Sequence, residues 1–148
     1  MTSFFDITST LPWPNAIGKR TAVGPLVGAA ESEAISELAK TTPLILVITA
    51  TTAAAHNLAS ELPFFLSDDR EILLVPDWET LPYDNFSPHQ DIVSDRLKAL
   101  SRLPTLKSGV VIVSVTTLMH RLAPRHFIDA GVLSLKTGET LDLSLIHI

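Results

Sequence analysis

The chain has 148 residues, of which 46% are apolar, and a formal charge of −5. This apolar content excludes a disordered chain, and the length predicts one domain with a core of its own. The absence of cysteine excludes disulfides, a thiol nucleophile and a cysteine-based zinc site. An acidic balance without a Lys/Arg cluster is unlike that of a protein that binds DNA tightly by itself.

No segment predicts export or membrane insertion. The start, "MTSFFDITSTLPWPN", lacks the basic flank and apolar core of a signal peptide. The longest apolar run, residues 43–55, contains threonines and is too short to span a bilayer. We therefore expect a cytoplasmic protein.

Strand and helix patterns alternate along the chain. Residues 1–19 predict a loosely ordered lead-in, and residues 20–28 a short strand and a turn. The apolar runs 43–50, 71–76 and 109–115 predict strands buried on both faces. Helices are predicted at residues 31–40, at 52–62 with Thr51 or Thr52 as the cap, at 91–103 and at 116–122.

This alternation predicts an α/β fold, with a parallel sheet and flanking helices. We assign it to residues 20–131. From residue 132 the pattern changes to an alternating strand followed by a Thr-Gly turn, so residues 132–148 predict the truncated start of a second small domain. Residues 144–148 break even that pattern and are expected to be non-native.

The turn before the first helix is where such folds hold phosphate. A phosphate loop needs the spacing G-x-x-x-x-G-K-[ST]. Counted from Gly24, the lysine position holds Ala30 and the Ser/Thr position holds Glu31. The second glycine position holds Ala29; with Gly28 in that role, Ala29 takes the place of lysine. The missing contact between a lysine and the phosphates is worth roughly 4 kcal/mol. The sequence therefore predicts a scaffold of nucleotide-binding type that binds no nucleotide. The simpler interpretation of the same residues is an ordinary helix start.

Several residue types could carry chemistry. Asp77 follows an apolar run, as a Mg²⁺-binding aspartate does in phosphoryl-transfer sites. The alternative is that Asp77 and Glu79 accept hydrogen bonds in a loop or a helix cap. Residues His89, His120 and His126 could form a metal cluster, but their spacing matches no ligand pattern and favours surface histidines.

Nucleophiles and acids give no clear constellation. Ser87 and Ser114 lack the context of a nucleophile elbow. Asp84, Asp91 and Asp95 could act as general acids or bases, whereas Asp91 more simply favours the dipole of the helix that follows it. We therefore predict no catalytic residue, no metal and no cofactor in this chain.

The segment 77–91, "DWETLPYDNFSPHQD", has no helical or strand period, and unstructured loops of this length tend to be functional. Together with "DIVSDRLKALSRLP" and "GVVIVSVTTLMHRLAP" it resembles the N-terminal module of bacterial transcription-repair coupling factors, over about residues 45–141. The residues that carry this signature are Asp77, Trp78, Glu79, Pro82, Tyr83, Asp84, Phe86, Pro88, His89, Asp91 and Arg96.

The resemblance implies a function for the parent protein. Coupling factors are ATP-dependent DNA translocases that push stalled RNA polymerase off damaged templates and recruit excinuclease A. Their N-terminal part is similar to excinuclease B, which has a working phosphate loop and a hairpin that clamps DNA. Both features are missing here, which implies a degenerate P-loop NTPase or RecA-like module that serves as a docking and autoinhibitory surface.

The same resemblance implies the partners. They are other domains of the same polypeptide and, for the parent, RNA polymerase, double-stranded DNA and excinuclease A, with ATP and Mg²⁺ in the parent's motor domains. We expect the loop to pack across the carboxyl edge of the sheet and to bury Trp78, Tyr83 and Phe86; a structural loop without a partner is the alternative.

Two other functions remain open. One is a divergent nucleotide-binding helicase or ATPase domain, against which the alanine at the lysine position counts. The other is a free-standing α/β protein that binds another ligand, against which the excinuclease-like loop counts.

Overall fold

A computed structural model describes residues 11, 13, 16–67, 70–81, 83–131 and 138. Helices and strands alternate along the chain, with a short 3-10 turn at Leu103–Thr105. The elements are α1 (Ala30–Thr41), β1 (Leu44–Thr49), α2 (Thr52–Phe65), β2 (Ile72–Val75), α3 (Gln90–Arg102), β3 (Gly109–Ser114), α4 (Val115–Met119) and α5 (Arg125–Gly131). Within the described residues, all the predicted helices and strands except one exist, and α5 is an element that the sequence patterns did not predict. The alternating strand predicted from residue 132 lies outside them.

The three strands form a parallel sheet in the order β1-β3-β2. The central strand places Val110 opposite both Ile45 of β1 and Ile72 of β2. Helices connect successive parallel strands, as crossover connections require. The predicted class, an α/β fold with a parallel sheet and flanking helices, is confirmed.

Alternation along β3 divides the core into two layers, because successive side chains of a strand point to opposite faces. Val110 and Ile112 lie in one layer, and Val111 and Val113 in the other. The first layer lies under α1 and α2 and contains Ala39, Ile45, Ala55, Leu58, Leu62, Leu66, Val110 and Ile112. The second lies under α3 and contains Val75, Ala99, Leu106, Val111 and Val113. Every residue of β3 is buried, as its continuous apolar run predicts.

The prediction that all three strands are buried on both faces is wrong for β1 and only partly right for β2, in which Val75 alone is fully buried. Leu44, Leu46 and Ile48 are 43%, 58% and 51% exposed. They share one face of an edge strand, and the side chains of α3 reach only part of that face. The apolar run therefore predicted the strand correctly. It did not predict that, among the described residues, only one face of the strand is covered.

The predicted strand within residues 20–28 is also wrong. This stretch is irregular and mostly exposed, and it leads directly into α1. Pro25 cannot donate a ladder hydrogen bond. The turn predicted with this strand is present, at residues 28–29, where Gly28 has a φ of +62°. Helix α1 thus begins after an irregular segment, and it is held to α2 by a hydrogen bond from Ser32 Oγ to Glu61 Oε2 of 3.0 Å.

Candidate functional site at the carboxyl edge of the sheet

The carboxyl ends of the parallel strands bring three polar turns to one edge. Thr51, after β1, caps α2 by accepting a hydrogen bond of 3.1 Å from the Ala54 amide. Ser114, at the end of β3, caps α4 by accepting from the Thr117 amide. Asp77 follows β2 by two residues. The edge therefore gathers residues that lie far apart in the sequence, as expected for ligand sites in α/β folds.

Asp77 is the centre of this polar cluster. Its Oδ2 accepts hydrogen bonds from Thr116 Oγ1 at 2.6 Å and from Thr52 Oγ1 at 3.4 Å, and its Oδ1 accepts from the Trp78 amide at 2.7 Å. Burial by itself would raise the pKa of Asp77, but the hydrogen bonds from Thr116 and Trp78 and the nearby His120 outweigh it, so the pKa lies below its ordinary value. Asp77 is therefore an ionised carboxylate that links the starts of α2 and α4.

His120 lies close to this carboxylate without bonding to it. Its Nδ1 is 3.9 Å from Asp77 Oδ1, which is too long for a hydrogen bond. That nitrogen is buried and has no hydrogen-bond partner among the described residues.

Arg96 is a buried residue that contacts the chain on both sides of Asp77. Its side chain is 2% exposed, it donates from Nη1 to the Pro76 carbonyl at 2.7 Å, and its guanidinium lies 4.8 Å from the centroid of the Trp78 ring. Burial lowers the pKa of Arg96, and the charge of Asp77 opposes that change. The arginine thus anchors both the backbone after β2 and the first ring of the loop.

The cluster does not assemble a catalytic constellation from the candidates named above. Ser114 Oγ is engaged with Thr116 Oγ1 at 2.8 Å and Thr117 Oγ1 at 3.0 Å. Asp91 and Asp95 are exposed on α3. Within the described parts of the chain, no three His, Cys, Asp or Glu side chains lie close enough to hold a metal ion. Among the described residues, this arrangement orients the loop after β2 and the starts of α2 and α4.

The loop after Asp77 is more exposed to solvent than the sequence predicts. Trp78 is half-buried at its base, but Tyr83 is fully exposed and Phe86 is 80% exposed. The prediction that these two rings are buried across the edge is therefore wrong. Glu79 and Tyr83 have φ values of 58° and 74°, so the backbone adopts the left-handed conformation of tight turns at these two residues.

The rest of the loop forms local turns. The Asp84 amide donates to the Leu81 carbonyl at 3.1 Å, and Asp84 Oδ2 accepts from the Leu81 amide at 3.0 Å. His89 is exposed and caps α3, with its Nδ1 accepting from the Asp91 amide at 3.3 Å. Pro88 is half-buried, and Pro82 lies outside the described residues.

The turn at residues 24–31, where the sequence predicts a degenerate phosphate loop, leads into α1. Gly24 and Ala29 are exposed, and Ala29 precedes α1 without a side-chain cap. Beside this turn is a cavity of about 440 Å³, bounded by Thr49, Ala50 and Ala54 at the end of β1 and the start of α2. Among the described residues that line it, Glu31 is the only charged one.

Sequence reasoning missed the hydroxyl partners of Asp77. Thr52 and Thr116 lie 25 and 39 residues away from it in the sequence. A signal was present, since each follows closely on an apolar run, and the ends of parallel strands meet at one edge. Arg96 was named only as part of a signature, and its burial shows why it belongs there.

The predicted domain boundaries are not tested by these contacts. Residues 132–137 and 139–148 lie outside the described part of the chain, as does most of the predicted lead-in. The helices that are described include none long and apolar enough to cross a membrane.

Comparison with known proteins identifies relatives. The transcription-repair-coupling factor of Escherichia coli (strain K12) is 42% identical over 130 residues, which are 86% of this chain and 11% of that protein. That of Haemophilus influenzae is 42% identical over 80% of this chain and 10% of its own length, and that of Mycobacterium tuberculosis is 42% identical over 61% and 8%. No protein-family model matches.

The chain therefore spans about a tenth of the length of the curated relatives it matches. The longest of these matches includes 86% of the chain. Over the matched residues, this chain belongs to the family of transcription-repair-coupling factors.

Proposed function

We propose that this region is a non-catalytic docking and regulatory module of a coupling factor. The observation that carries the proposal is the cavity of about 440 Å³ beside the turn at residues 24–31, whose one charged lining residue among those described is Glu31. A triphosphate needs cations and exposed amides, and a carboxylate repels it. The module keeps a scaffold of nucleotide-binding type and has lost the residues that bind phosphate.

The architecture supports this ancestry. Three parallel strands with helices on both faces form part of the degenerate P-loop NTPase or RecA-like fold that resembles excinuclease B. In this proposal residues 20–131 are that domain, and residues 132–148 begin a second, smaller one.

The activity belongs to the parent polypeptide. By family, the parent is an ATP-dependent DNA translocase of the bacterial cytoplasm that displaces stalled RNA polymerase and recruits excinuclease A for nucleotide excision repair. ATP, Mg²⁺ and double-stranded DNA bind its motor domains. The acidic charge of −5 supports a module that contacts protein rather than DNA.

Equilibrium titration of the chain with a fluorescent ATP analogue and Mg²⁺ tests the proposal. We expect no saturable binding up to a concentration of about 1 mM, equivalent to less than about 4 kcal/mol of binding free energy. Micromolar affinity would instead support a divergent nucleotide-binding helicase or ATPase domain.

A matched pair of variants locates any binding that appears. Glu31 lines the cavity and Glu33, two residues later in the same helix turn, does not. If Glu31→Arg tightens the binding and Glu33→Arg leaves it unchanged, nucleotide occupies this cavity and the docking proposal is wrong.

A further inference from the structure

The loop after β2 presents an apolar tip to solvent. The tip consists of Leu81, Tyr83 and Phe86, which are 75%, 103% and 80% exposed. Single exposed apolar residues are ordinary, but three within six positions form a patch of the kind that marks an interaction site.

Side-chain and backbone contacts hold the segment on which the tip is carried. Asp77 is held by Thr116 Oγ1 at 2.6 Å, and Trp78 packs against the buried Arg96. The paired hydrogen bonds between Leu81 and Asp84 then close the turn. A projection that is ordered before binding loses little conformational entropy when it docks, and tyrosine is common among residues that dominate interfaces.

The charge around the tip restricts the partner. Residues 77–91 contain no Lys or Arg, and Glu79, Asp84 and Asp91 are exposed. Acids repel the phosphates of nucleic acid, even though bases could stack on Tyr83 and Phe86. The complementary surface is an apolar pocket with a rim of Lys and Arg.

The size of the tip points to a tethered partner. Three such side chains offer roughly 500 Å² of surface, below the about 800 Å² that each side of a stable interface contributes. A partner on the same polypeptide has an effective concentration on the order of millimolar and needs less contact area. In the E. coli relative the matched region is 11% of the protein, so most of that polypeptide is available.

We propose that the tip docks into an apolar pocket rimmed by Lys and Arg elsewhere on the same coupling-factor polypeptide. This inference rests on the proposed docking function and identifies the surface that performs it. The base of the loop, formed by Asp77, Trp78 and Arg96, positions the tip and does not enter the pocket.

Photo-crosslinking in a full-length coupling factor that carries this module tests the contact. p-Benzoylphenylalanine replaces Tyr83 in one variant and Phe64 in the control, since Phe64 is similarly exposed at 87% but lies on α2. We expect about tenfold more intramolecular crosslink at position 83 than at position 64. Position 83 lies in the tip, and tethering on one polypeptide keeps the tip in its pocket. The crosslinked peptide should contain Lys or Arg, and the yield should fall when salt rises from about 0.1 M to about 0.5 M.

The other outcomes overturn the contact. Equal yields at positions 83 and 64, or a crosslink from position 83 to an added oligonucleotide, would each contradict it. The result is separate from the nucleotide test: ATP binding by the chain overturns the proposed function whatever position 83 contacts. A missing crosslink in a chain that binds no ATP overturns the docking tip alone.

Discussion

At the scale of single residues, the polar cluster shows how neighbours set the role of a side chain. The sequence singles out Asp77 because it follows an apolar run, and that position suits a metal ligand as well as a hydrogen-bond acceptor. Its neighbours are two threonine hydroxyls and a backbone amide. These donors stabilise the carboxylate and occupy both of its oxygens, so the residue links elements of the fold.

We expect Asp77 to make the free energy of unfolding depend on pH. Its pKa in the folded chain lies below the ordinary value of 3.8, because hydrogen bonds from Thr116 and Trp78 outweigh the opposing effect of burial. A lowered pKa contributes stability that is fully present above the ordinary value and is lost as the pH falls through the folded value. Urea unfolding at about pH 7 and about pH 3 measures the difference.

The control separates Asp77 from the other carboxylates. Asp77→Asn should reduce the loss of stability between the two pH values, whereas Asp95→Asn, exposed on α3, should leave that loss unchanged. Equal pH dependence in the wild type and in Asp77→Asn would show that the hydrogen bonds do not stabilise the charge.

At the scale of elements, close backbone approaches decide where the strands begin. Gly109 opens β3 with a φ of +141° and donates its amide to the Pro43 carbonyl at 2.8 Å. The next amide, that of Val110, donates to the Glu71 carbonyl at 2.9 Å. The start of the central strand is therefore held by the residues just before β1 and β2, and Glu71 lies close to the position where Gly109 has no side chain.

Gly109→Ala should destabilise the fold strongly. A Cβ at this position would lie 2.3 Å from the Glu71 carbonyl oxygen, and the backbone conformation is strained for any other residue. We expect a loss of about 3 kcal/mol, measured by urea unfolding. Gly24→Ala is the control, because a Cβ there meets nothing within 4 Å, and its effect should stay within about 0.5 kcal/mol. Similar losses in both variants would contradict this account of β3.

At the scale of the whole molecule, the described fold leaves one sheet face partly open. Leu44, Leu46 and Ile48 of β1 lie at the edge of a groove of about 310 Å³ or beside it. The opposite face is covered by α1 and α2. A strand with an apolar face and a free edge favours association between molecules.

We expect the isolated chain to associate through this face. Replacing Leu46 and Ile48 together with threonine keeps the β-propensity and lowers the exposed apolar area, so the weight-average mass at high concentration should fall. Sedimentation velocity over a concentration series measures it. Phe64→Ser, which removes an exposed ring on α2, should have no such effect; association that persists in the double variant would point to another surface.

Much of the fold could be predicted because its determinants are local. Apolar runs, helical periods and the Thr51 cap lie within a few residues of one another, and each of these elements formed. The failures are the strand within residues 20–28, the second face of β1 and the helix α5. In the first case Pro25, within the stretch itself, disfavours a strand. In the other two the outcome depends on packing against residues distant in the chain.

The sequence by itself determined the α/β class, the absence of a phosphate-loop pattern in residues 24–31 and the loop signature, because each depends on residue type and spacing alone. Only the tertiary structure decided that Asp77 bonds to Thr52 and Thr116, that Arg96 lies buried beneath Trp78, and that Tyr83 and Phe86 face solvent. Those contacts join residues on different elements, and their distances depend on how strands and helices pack, which no local pattern encodes.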